Sequence, residues 1–189
     1  MEAPPDSGQP DGGTMDLTTR PSARAPYEGM GVPSFSLTSD TLADGGTMPA
    51  SATAQGGSRS PHLAWSGAPD GTRSFMVTCF DPDAPVPAGW WHWAVLDLPA
   101  SASRLEEGAG RSDLELDGPA FHLRGDTGDA SYFGAAPPPG DRPHRYVFSV
   151  HALDVDTLGL DDDATPTMAA FTALGHTLAR ADLTVTFQA

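Results

Sequence analysis

Two clusters of aspartate, histidine and proline residues could do chemistry in this chain. The first reads D-P-D-A-P at residues 81–85 and G-W-W-H-W at residues 89–93. The second reads S-Y-F-G-A-A-P-P-P-G at residues 131–140 and H-R-Y at residues 144–146. Carboxylates and imidazoles can hold a metal ion, move a proton or bind a charged ligand. Because proline fixes the backbone angle φ at about −65°, each cluster is stiff enough to hold such side chains in place.

Both clusters lie where predicted strands begin or end. Residues 75–80 and 93–98 are apolar runs that flank the first cluster, and residues 144–153 are rich in aromatic and β-branched side chains. The triple proline fits neither a helix interior nor a central strand, so it forms a fixed wall or a surface loop. Rigid scaffolds display working residues at such strand ends. We therefore expect the two clusters to meet at one cavity.

The order of the elements predicts a mostly-β fold. Further short runs typical of strands occur at residues 33–37, 61–65, 120–124 and 183–187. Thr165 before Pro166 is typical of a helix N-terminus, and apolar residues at helical spacing extend that helix to about Arg180. Since no β-α-β rhythm appears, we expect a sandwich of antiparallel sheets with one or two peripheral helices.

Three kinds of chemistry fit these clusters. A metal site would use Asp81, Asp83, His92 and His144, but no H-x-x-x-H or C-x-x-C spacing is present, so we expect no metal or other cofactor. A serine hydrolase would need an activated nucleophile, and the chain has no G-x-S-x-G motif, so we expect no catalytic residue. The third kind, an anion pocket, is the one we favour.

Protonated histidine donates two N–H groups, and a neighbouring aspartate raises its pKa and orients its ring. His92 and His144, with a tyrosine hydroxyl and backbone N–H groups near residues 134–136, would hold a phosphate or a carboxylate. Asp81 would orient a histidine or accept a ligand ammonium. Binding should strengthen as pH falls through the histidine pKa. We expect replacement of either histidine to leave the fold intact.

The motifs, in this order, closely resemble the phosphatidylethanolamine-binding protein family, and best its bacterial branch, which is labelled Raf-kinase-inhibitor-like. V-P-S-F at residues 32–35 and S-P-H-L-A-W-S at residues 60–66 agree as well, and the resemblance covers residues 26–189. It implies a Greek-key antiparallel β-sandwich, a cis peptide bond between Ala84 and Pro85, and an anion pocket. The pocket residues that it implies, with Tyr146 expected beside them, are Asp81, Asp83, Pro85, His92, Tyr132, Ala136, Pro137 and His144.

Three functions stay open at this point. The first is a ligand-binding protein, regulatory through its pocket, that takes a small anionic or phosphorylated ligand. The second is an enzyme of unknown type on a small phosphorylated or acyl substrate. The third is an inhibitor of a partner kinase or protease that acts through the pocket-rim loops. Many eukaryotic members have glycine where this chain has Ala136, so we expect a tighter rim here.

The composition of the chain limits the classes of partner that it can bind. The chain has 189 residues and a net charge of −15, from 25 acidic and 10 basic residues. Such a surface repels nucleic acid and anionic membranes, and no apolar run is long enough to span a bilayer. We expect no nucleic-acid partner, no membrane insertion and a cytoplasmic location, and a homodimer stays open. Both coding bias and salt adaptation account for the acidity.

The domain organisation follows from where the large apolar residues lie. Residues 1–25 are rich in proline, glycine and acidic residues and almost lack large apolar ones. They cannot bury enough surface to offset the entropy of ordering, so we expect a disordered and dispensable tail. Residues 26–189 then form one domain.

Overall fold

Strands are the main regular secondary structure in residues 17–189, the part of the chain that the computed structural model describes. The strands of this part are β1 Ser36–Thr38, β2 Leu63–Ser66, β3 Ser74–Asp81, β4 Trp90–Pro99, β5 Arg104–Leu105, β6 Phe121–His122, β7 His144–Leu153 and β8 Thr177–Phe187. One α-helix, α1, spans Pro166–Ala173. Short 3-10 helices span Leu17–Thr19, Ala50–Ala52, Ala109–Arg111 and Asp113–Glu115. The mostly-β, antiparallel fold expected from the sequence is confirmed.

Two antiparallel sheets enclose the main core. The smaller sheet has the order β1-β2-β5, and the larger has the order β6-β4-β3-β7-β8. Leu63 and Trp65 of β2 pack in one buried cluster with Val77 of β3 and Phe148 of β7. In β7 the side chains alternate as predicted, because Tyr146 and Phe148 both belong to this core. The inner face of the larger sheet therefore carries Tyr146, Phe148, Val150 and Ala152 of β7.

Helix α1 covers the outer face of the larger sheet. The Thr165 hydroxyl accepts the Met168 N–H at 3.2 Å, so the predicted N-cap is present. The contacts to the sheet come from Ala169 and Ala173, which pack in one cluster with Met76 and Leu96. The apolar residues that predicted the helix point elsewhere, since the exposed fractions of Met168, Phe171 and Leu174 are 51%, 72% and 51%. Small alanines let the helix lie close to the sheet.

The predicted extension of this helix to Arg180 is wrong. The helix ends at Ala173, and β8 begins at Thr177. Residues 177–187 pair along the whole of β7, from Leu153 opposite Thr177 to His144 opposite Phe187. A long strand ladder thus overrides the helical spacing of the apolar residues. None of the helices in residues 17–189 has the length and apolarity needed to cross a bilayer.

The expected disordered tail is described in part. Residues 1–16 lie outside the described residues, while residues 17–25 run along the domain. Arg142 donates to the Ser22 hydroxyl at 2.8 Å, and Arg145 donates to the carbonyl of Ala23 at 2.8 Å. The boundary between tail and domain stays a prediction that truncation can test.

Candidate functional site

A cavity of about 240 Å³ opens at one end of the sandwich, where β3 ends and where β4 and β7 begin. Its lining consists of Asp81, Ala84, Pro85, Val86, Trp90, His92, Phe133, Ala136, Pro137, Pro138, His144 and Tyr146. Seven of the nine residues predicted for the pocket are in this set, and Asp83 and Tyr132 are not. The two sequence clusters therefore meet at one cavity.

Strand alternation and a β-bulge bring the polar residues to the cavity. Asp81 is the last residue of β3, and His144 is the first residue of β7. In β4, Trp91 pairs with Phe80 and Trp93 pairs with Cys79, so His92 between them has no partner in β3. Such a bulge re-aims side chains. It lets His92 reach the ring of Tyr146, at 5.1 Å between centroids, although the neighbouring Trp93 also faces the core.

The turn after β3 differs from the expected one. No peptide bond in residues 17–189 is cis, so the predicted cis bond between Ala84 and Pro85 is wrong. The Val86 N–H instead donates to the carbonyl of Ala84 at 2.8 Å, which closes a three-residue turn around a trans Pro85. The Asp83 N–H donates to Oδ1 of Asp81 at 2.7 Å. These two bonds make a tight turn without a cis proline.

His92 is held as a neutral imidazole with one nitrogen uncommitted. Its Nδ1 lies 2.8 Å from the carbonyl oxygen of Phe133, so Nδ1 carries the hydrogen and donates it. Burial lowers the pKa of His92 and outweighs the opposing effects of this carbonyl and of Asp81. In the part of the chain that the structure describes, Nε2 has no hydrogen-bond partner. His92 can therefore accept a hydrogen from a ligand or, once protonated, donate one.

His144 is in the opposite state, because both of its nitrogens are engaged. Nδ1 lies 2.7 Å from Oδ2 of Asp81, and Nε2 lies 2.8 Å from Oδ2 of Asp141. Burial alone would lower the pKa of His144, but the hydrogen bonds to the two carboxylates outweigh it and raise the pKa. His144 is thus an imidazolium between two carboxylates and has no N–H left for a ligand.

Tyr146 contributes an unsatisfied hydroxyl. This side chain is buried, and its hydroxyl hydrogen has no acceptor among residues 17–189. Burial raises the pKa of the phenol, and the nearby Asp81 raises it further, so the group stays neutral. The Ala136 N–H acts on the hydroxyl oxygen and lowers the pKa of the phenol, but burial outweighs it. A buried hydroxyl hydrogen without an acceptor costs free energy. A ligand in the cavity would remove that cost by accepting a hydrogen bond from Tyr146.

Two predicted pocket residues have other roles. The Asp83 carboxylate accepts Nε of Arg145 at 2.7 Å, Nη2 of Arg145 at 3.0 Å and Nη2 of Arg142 at 2.9 Å. Burial would raise the pKa of Asp83, but the hydrogen bonds from Arg145 lower it on balance. The Tyr132 hydroxyl donates to the carbonyl of Ala52 at 2.9 Å, within the core. Neither group is available to a ligand in the cavity.

Two residues of the charge network were not predicted from the sequence. Asp141 is fully buried, and its Oδ2 accepts from Nη2 of Arg20 at 2.7 Å as well as from His144. Burial opposes ionisation, yet the hydrogen bonds from Arg20 and His144 lower the pKa of Asp141 to about 2. Asp141 stands three residues before the histidine that begins β7, and this spacing could have identified it as a site residue. Arg20 lies in a polar segment in which no sequence pattern marks it.

A wider cavity of about 600 Å³ lies on the other side of the 131–136 segment. Its charged side chains form surface pairs, with Arg59 3.1 Å from Glu107 and Arg111 3.0 Å from Glu115. No residue of its lining is among those in residues 17–189 that have an unsatisfied buried polar side-chain atom. The smaller cavity is therefore the better candidate site. No group of three histidine, cysteine or acidic side chains within the described range has the arrangement of a metal site.

Comparison with known proteins places these features in a family. A family model described as Phosphatidylethanolamine-binding protein matches residues 38–188. The chain is 47% identical to UPF0098 protein YbhB of Escherichia coli K12 over 128 residues, which are 68% of this chain and 80% of YbhB. It is 42% identical to UPF0098 protein YbcL of the same strain over 135 residues, 71% of this chain and 74% of YbcL.

Solved structures give the same result. The crystal structure of E. coli YbcL, described as a new member of the mammalian PEBP family, superposes with a TM-score of 0.80 at 38% identity, and the superposition covers 82% of this chain and 98% of the crystallised YbcL chain. The homologue CT736 from Chlamydia trachomatis superposes with a TM-score of 0.70 at 31% identity and covers 82% of this chain and 98% of CT736.

Proposed function

This chain belongs to the phosphatidylethanolamine-binding protein family, and from that premise we propose that its cavity binds a small monoanion such as a phosphate ester head group. The protein would then act as a ligand-binding protein with a regulatory role. The proposal rests on one observation above all. His92 Nε2 and the Tyr146 hydroxyl belong to the same cavity, and within residues 17–189 Nε2 has no partner and the hydroxyl hydrogen has no acceptor.

The charge of the cavity supports a monoanion. The Asp81 carboxylate is balanced by the imidazolium of His144 at 2.7 Å, so this pair adds no net charge. With His92 neutral, the lining carries no net charge, and protonation of His92 adds one positive charge. A monoanion then meets one compensating charge and two donors, Nε2–H of His92 and the Tyr146 hydroxyl.

The wall of the cavity supports a small ligand. Pro85, Pro137, Pro138, Val86 and Phe133 supply most of the remaining lining, and none of them offers a side-chain donor or acceptor. Prolines also limit how far the wall can adapt to a larger group. The lining has no serine, threonine or cysteine, which favours binding over nucleophilic chemistry.

The test is a calorimetric titration of inorganic phosphate and of glycerophosphoethanolamine into the wild-type protein and the His92→Ala variant. We expect His92→Ala to lose about 1–3 kcal/mol of binding free energy, the usual range for a charge-assisted hydrogen bond. The wild-type affinity should rise as pH falls through the His92 pKa, which lies below the ordinary value of 6.5. The ligand that binds more tightly identifies the head group.

His176→Ala is the matched control. His176 is partly exposed, bonds to Asp154 at 2.8 Å and lies outside the cavity. Its replacement should leave the affinity and its pH dependence unchanged. Equal affinity of wild type and His92→Ala for both ligands would contradict the proposed function.

A further inference from the structure

A second polar site lies behind His144, on the side away from the cavity. Its acceptors are the Asp141 carboxylate and the Asp83 carbonyl, with the Nε2–H of His144 bound to the same carboxylate, and we call it the arginine slot. The Arg20 guanidinium occupies it: Nη2 lies 2.7 Å from Oδ2 of Asp141 and 3.2 Å from Nε2 of His144, and it also donates to the carbonyl of Asp83. A fully buried carboxylate requires charge compensation, and His144 is already shared with Asp81. The slot is therefore built for a cation.

Two arginines beside the slot contact the backbone around Arg20. Asp83 holds both of them, with Arg145 bound through Nε and Nη2 and Arg142 bound through Nη2. Their free N–H groups then reach the segment that carries Arg20. Nη1 of Arg142 donates to the carbonyl of Arg20 at 3.3 Å, and Nη2 of Arg145 donates to the carbonyl of Ala23 at 2.8 Å. Carbonyl contacts of this kind hold a peptide segment whatever its side chains.

A second anchor fixes the far end of the same segment. The Tyr27 ring lies edge-on against His151, at 5.2 Å between centroids, and the guanidinium of Arg180 lies 4.3 Å from the centre of the Tyr27 ring. Residues 20–27 therefore run along the outer side of β7, from the slot at its first residue to His151 near its end. The segment binds in the manner of a peptide ligand with two side-chain anchors.

The slot and the segment fall on opposite sides of the family boundary. Asp83, Asp141, Arg142, His144 and Arg145 lie within the residues that match the family model, which begins at residue 38. Arg20 and Tyr27 lie before it. The receptor thus belongs to the family domain, whereas the ligand that fills it is a flanking piece of this chain.

We propose that the arginine slot is a peptide-recognition site for an arginine side chain in a segment without helix or strand, filled in this chain by its own residues 20–27, which end in a turn at Tyr27. This site goes beyond the proposed anion cavity and does not depend on it. The Asp141 carboxylate selects the guanidinium, and Arg142 and Arg145 bind the peptide backbone.

The occupant can be exchanged. Nη2 makes all the contacts of the Arg20 guanidinium with the slot, and Nε of Arg20 is buried without a hydrogen-bond partner among residues 17–189. An unsatisfied buried N–H weakens the fit. The chain's own segment stays in place because its tether keeps it at an effective concentration of the order of millimolar. An external arginine peptide therefore binds once the two anchors of the tethered segment are removed.

The experiment uses the full-length Arg20→Ala/Tyr27→Ala variant and a synthetic peptide of residues 17–28, followed by NMR chemical-shift titration. We expect the peptide to bind the variant at least tenfold more tightly than it binds the wild-type chain. A peptide with citrulline in place of Arg20 keeps the shape but not the charge, and it should bind at least tenfold more weakly. A peptide with Arg24→Ala should bind like the parent, because Arg24 is exposed and makes no hydrogen bond or ion pair within residues 17–189.

Two results would overturn the proposal. One is equal binding of the arginine and citrulline peptides, and the other is equal binding to the variant and to the wild-type chain. Addition of Asp141→Asn to the variant should abolish the preference for arginine. If the variant does not fold, the wild-type chain still provides a test. The Hε proton of Arg20 should exchange with water at least tenfold more slowly than that of Arg24, and equal rates would contradict the proposal.

Discussion

The two histidines of the candidate site occur in similar sequence contexts but differ in protonation state. His92 is the third residue of β4, after one proline-rich loop, and His144 is the first residue of β7, after the other. His92 bonds to one carbonyl and is neutral, with Nε2 uncommitted. His144 bonds to two carboxylates and is charged, with no N–H left for a ligand. One histidine can therefore bind a ligand, while the other balances buried charge.

A third histidine shows that partners rather than burial decide the charge. His151 lies in β7 like His144 and is similarly buried, with exposed fractions of 3% and 1%. No carboxylate of residues 17–189 contacts it, and burial lowers its pKa to about 3. The same strand thus carries a charged histidine at its first residue and a neutral one near its other end. Against the effect of burial, two aspartates raise the pKa of His144, whereas burial and the Arg180 cation together lower the pKa of His151.

The largest expected difference between His92 and His144 is in how much each contributes to the free energy of unfolding. His144→Ala leaves the carboxylates of Asp81 and Asp141 buried without their shared cation, so we expect a loss of about 3–5 kcal/mol in the free energy of unfolding. His92→Ala removes one hydrogen bond to a carbonyl, and we expect a loss of about 1–2 kcal/mol. Urea denaturation measures both losses.

This difference replaces the expectation that either variant would leave the fold intact. His144 is buried between two carboxylates, and its removal affects both. A double variant, His144→Ala/Asp81→Asn, should recover part of the loss because it also removes the carboxylate left without an ion-pair partner, whereas Asp141 keeps Arg20. Equal losses for His92→Ala and His144→Ala would show that the two histidines are equivalent after all.

The pH dependence of stability should have opposite signs at the ends of β7. The pKa of His144 is raised on folding, so its stabilising effect is complete below about pH 6.5 and is lost as pH rises through its folded pKa. The pKa of His151 is depressed, so stability is lost as pH falls from 6.5 towards about 3. His92 has the same sign as His151.

Urea denaturation at a series of pH values gives a curve of stability against pH, with one fall at acid pH (the acid limb) and one at alkaline pH (the alkaline limb). Two single variants separate the contributions of His151 and His144 to these limbs. His151→Leu should flatten the acid limb between about pH 6.5 and about pH 5, above the range in which most carboxylates titrate. His144→Gln should flatten the alkaline limb and leave this part of the acid limb unchanged. If His151→Leu alters only the alkaline limb, the assignment of the two charge states is wrong.

Of these variants, Tyr146→Phe should have the smallest effect, and we expect it to weaken ligand binding in the cavity without lowering protein stability. Loss of the hydroxyl should weaken phosphate binding by about 0.5–1.5 kcal/mol, the usual value of a neutral hydrogen bond. Protein stability should stay the same or rise slightly, because the hydroxyl hydrogen is buried without an acceptor in the described chain. Calorimetry and urea denaturation of the same preparation give both numbers. Unchanged phosphate affinity would remove Tyr146 from the site.

Strand patterns predicted much of the cavity. The predicted strand at residues 144–153 matches β7, and alternation placed His144 and Tyr146 on one face. The first proline-rich loop was predicted to place Asp81 and Pro85 at a cavity, and both residues line the smaller cavity. Local patterns carry this information because strands and turns are specified by neighbouring residues.

Contacts between distant residues could not be predicted in this way. Arg20 and Asp141 are 121 positions apart, and no local pattern links a polar N-terminal segment to a buried carboxylate. Asp83 was expected to face the cavity, but its bonds to Arg142 and Arg145 hold it outside. The bulge at His92 and the early end of α1 depend on pairing with β3 and β7, which the sequence of one element does not show.

The ¹⁵N NMR spectrum of the imidazole nitrogens tests the central claim most directly. At neutral pH, the account predicts that both nitrogens of His144 carry hydrogen, whereas His92 carries hydrogen on Nδ1 alone. Saturating phosphate should then shift the Nε2 signal of His92 and leave the nitrogens of His144 protonated. If His92 and His144 showed the same protonation state, or if phosphate shifted the signals of His144 and not those of His92, the account would be contradicted.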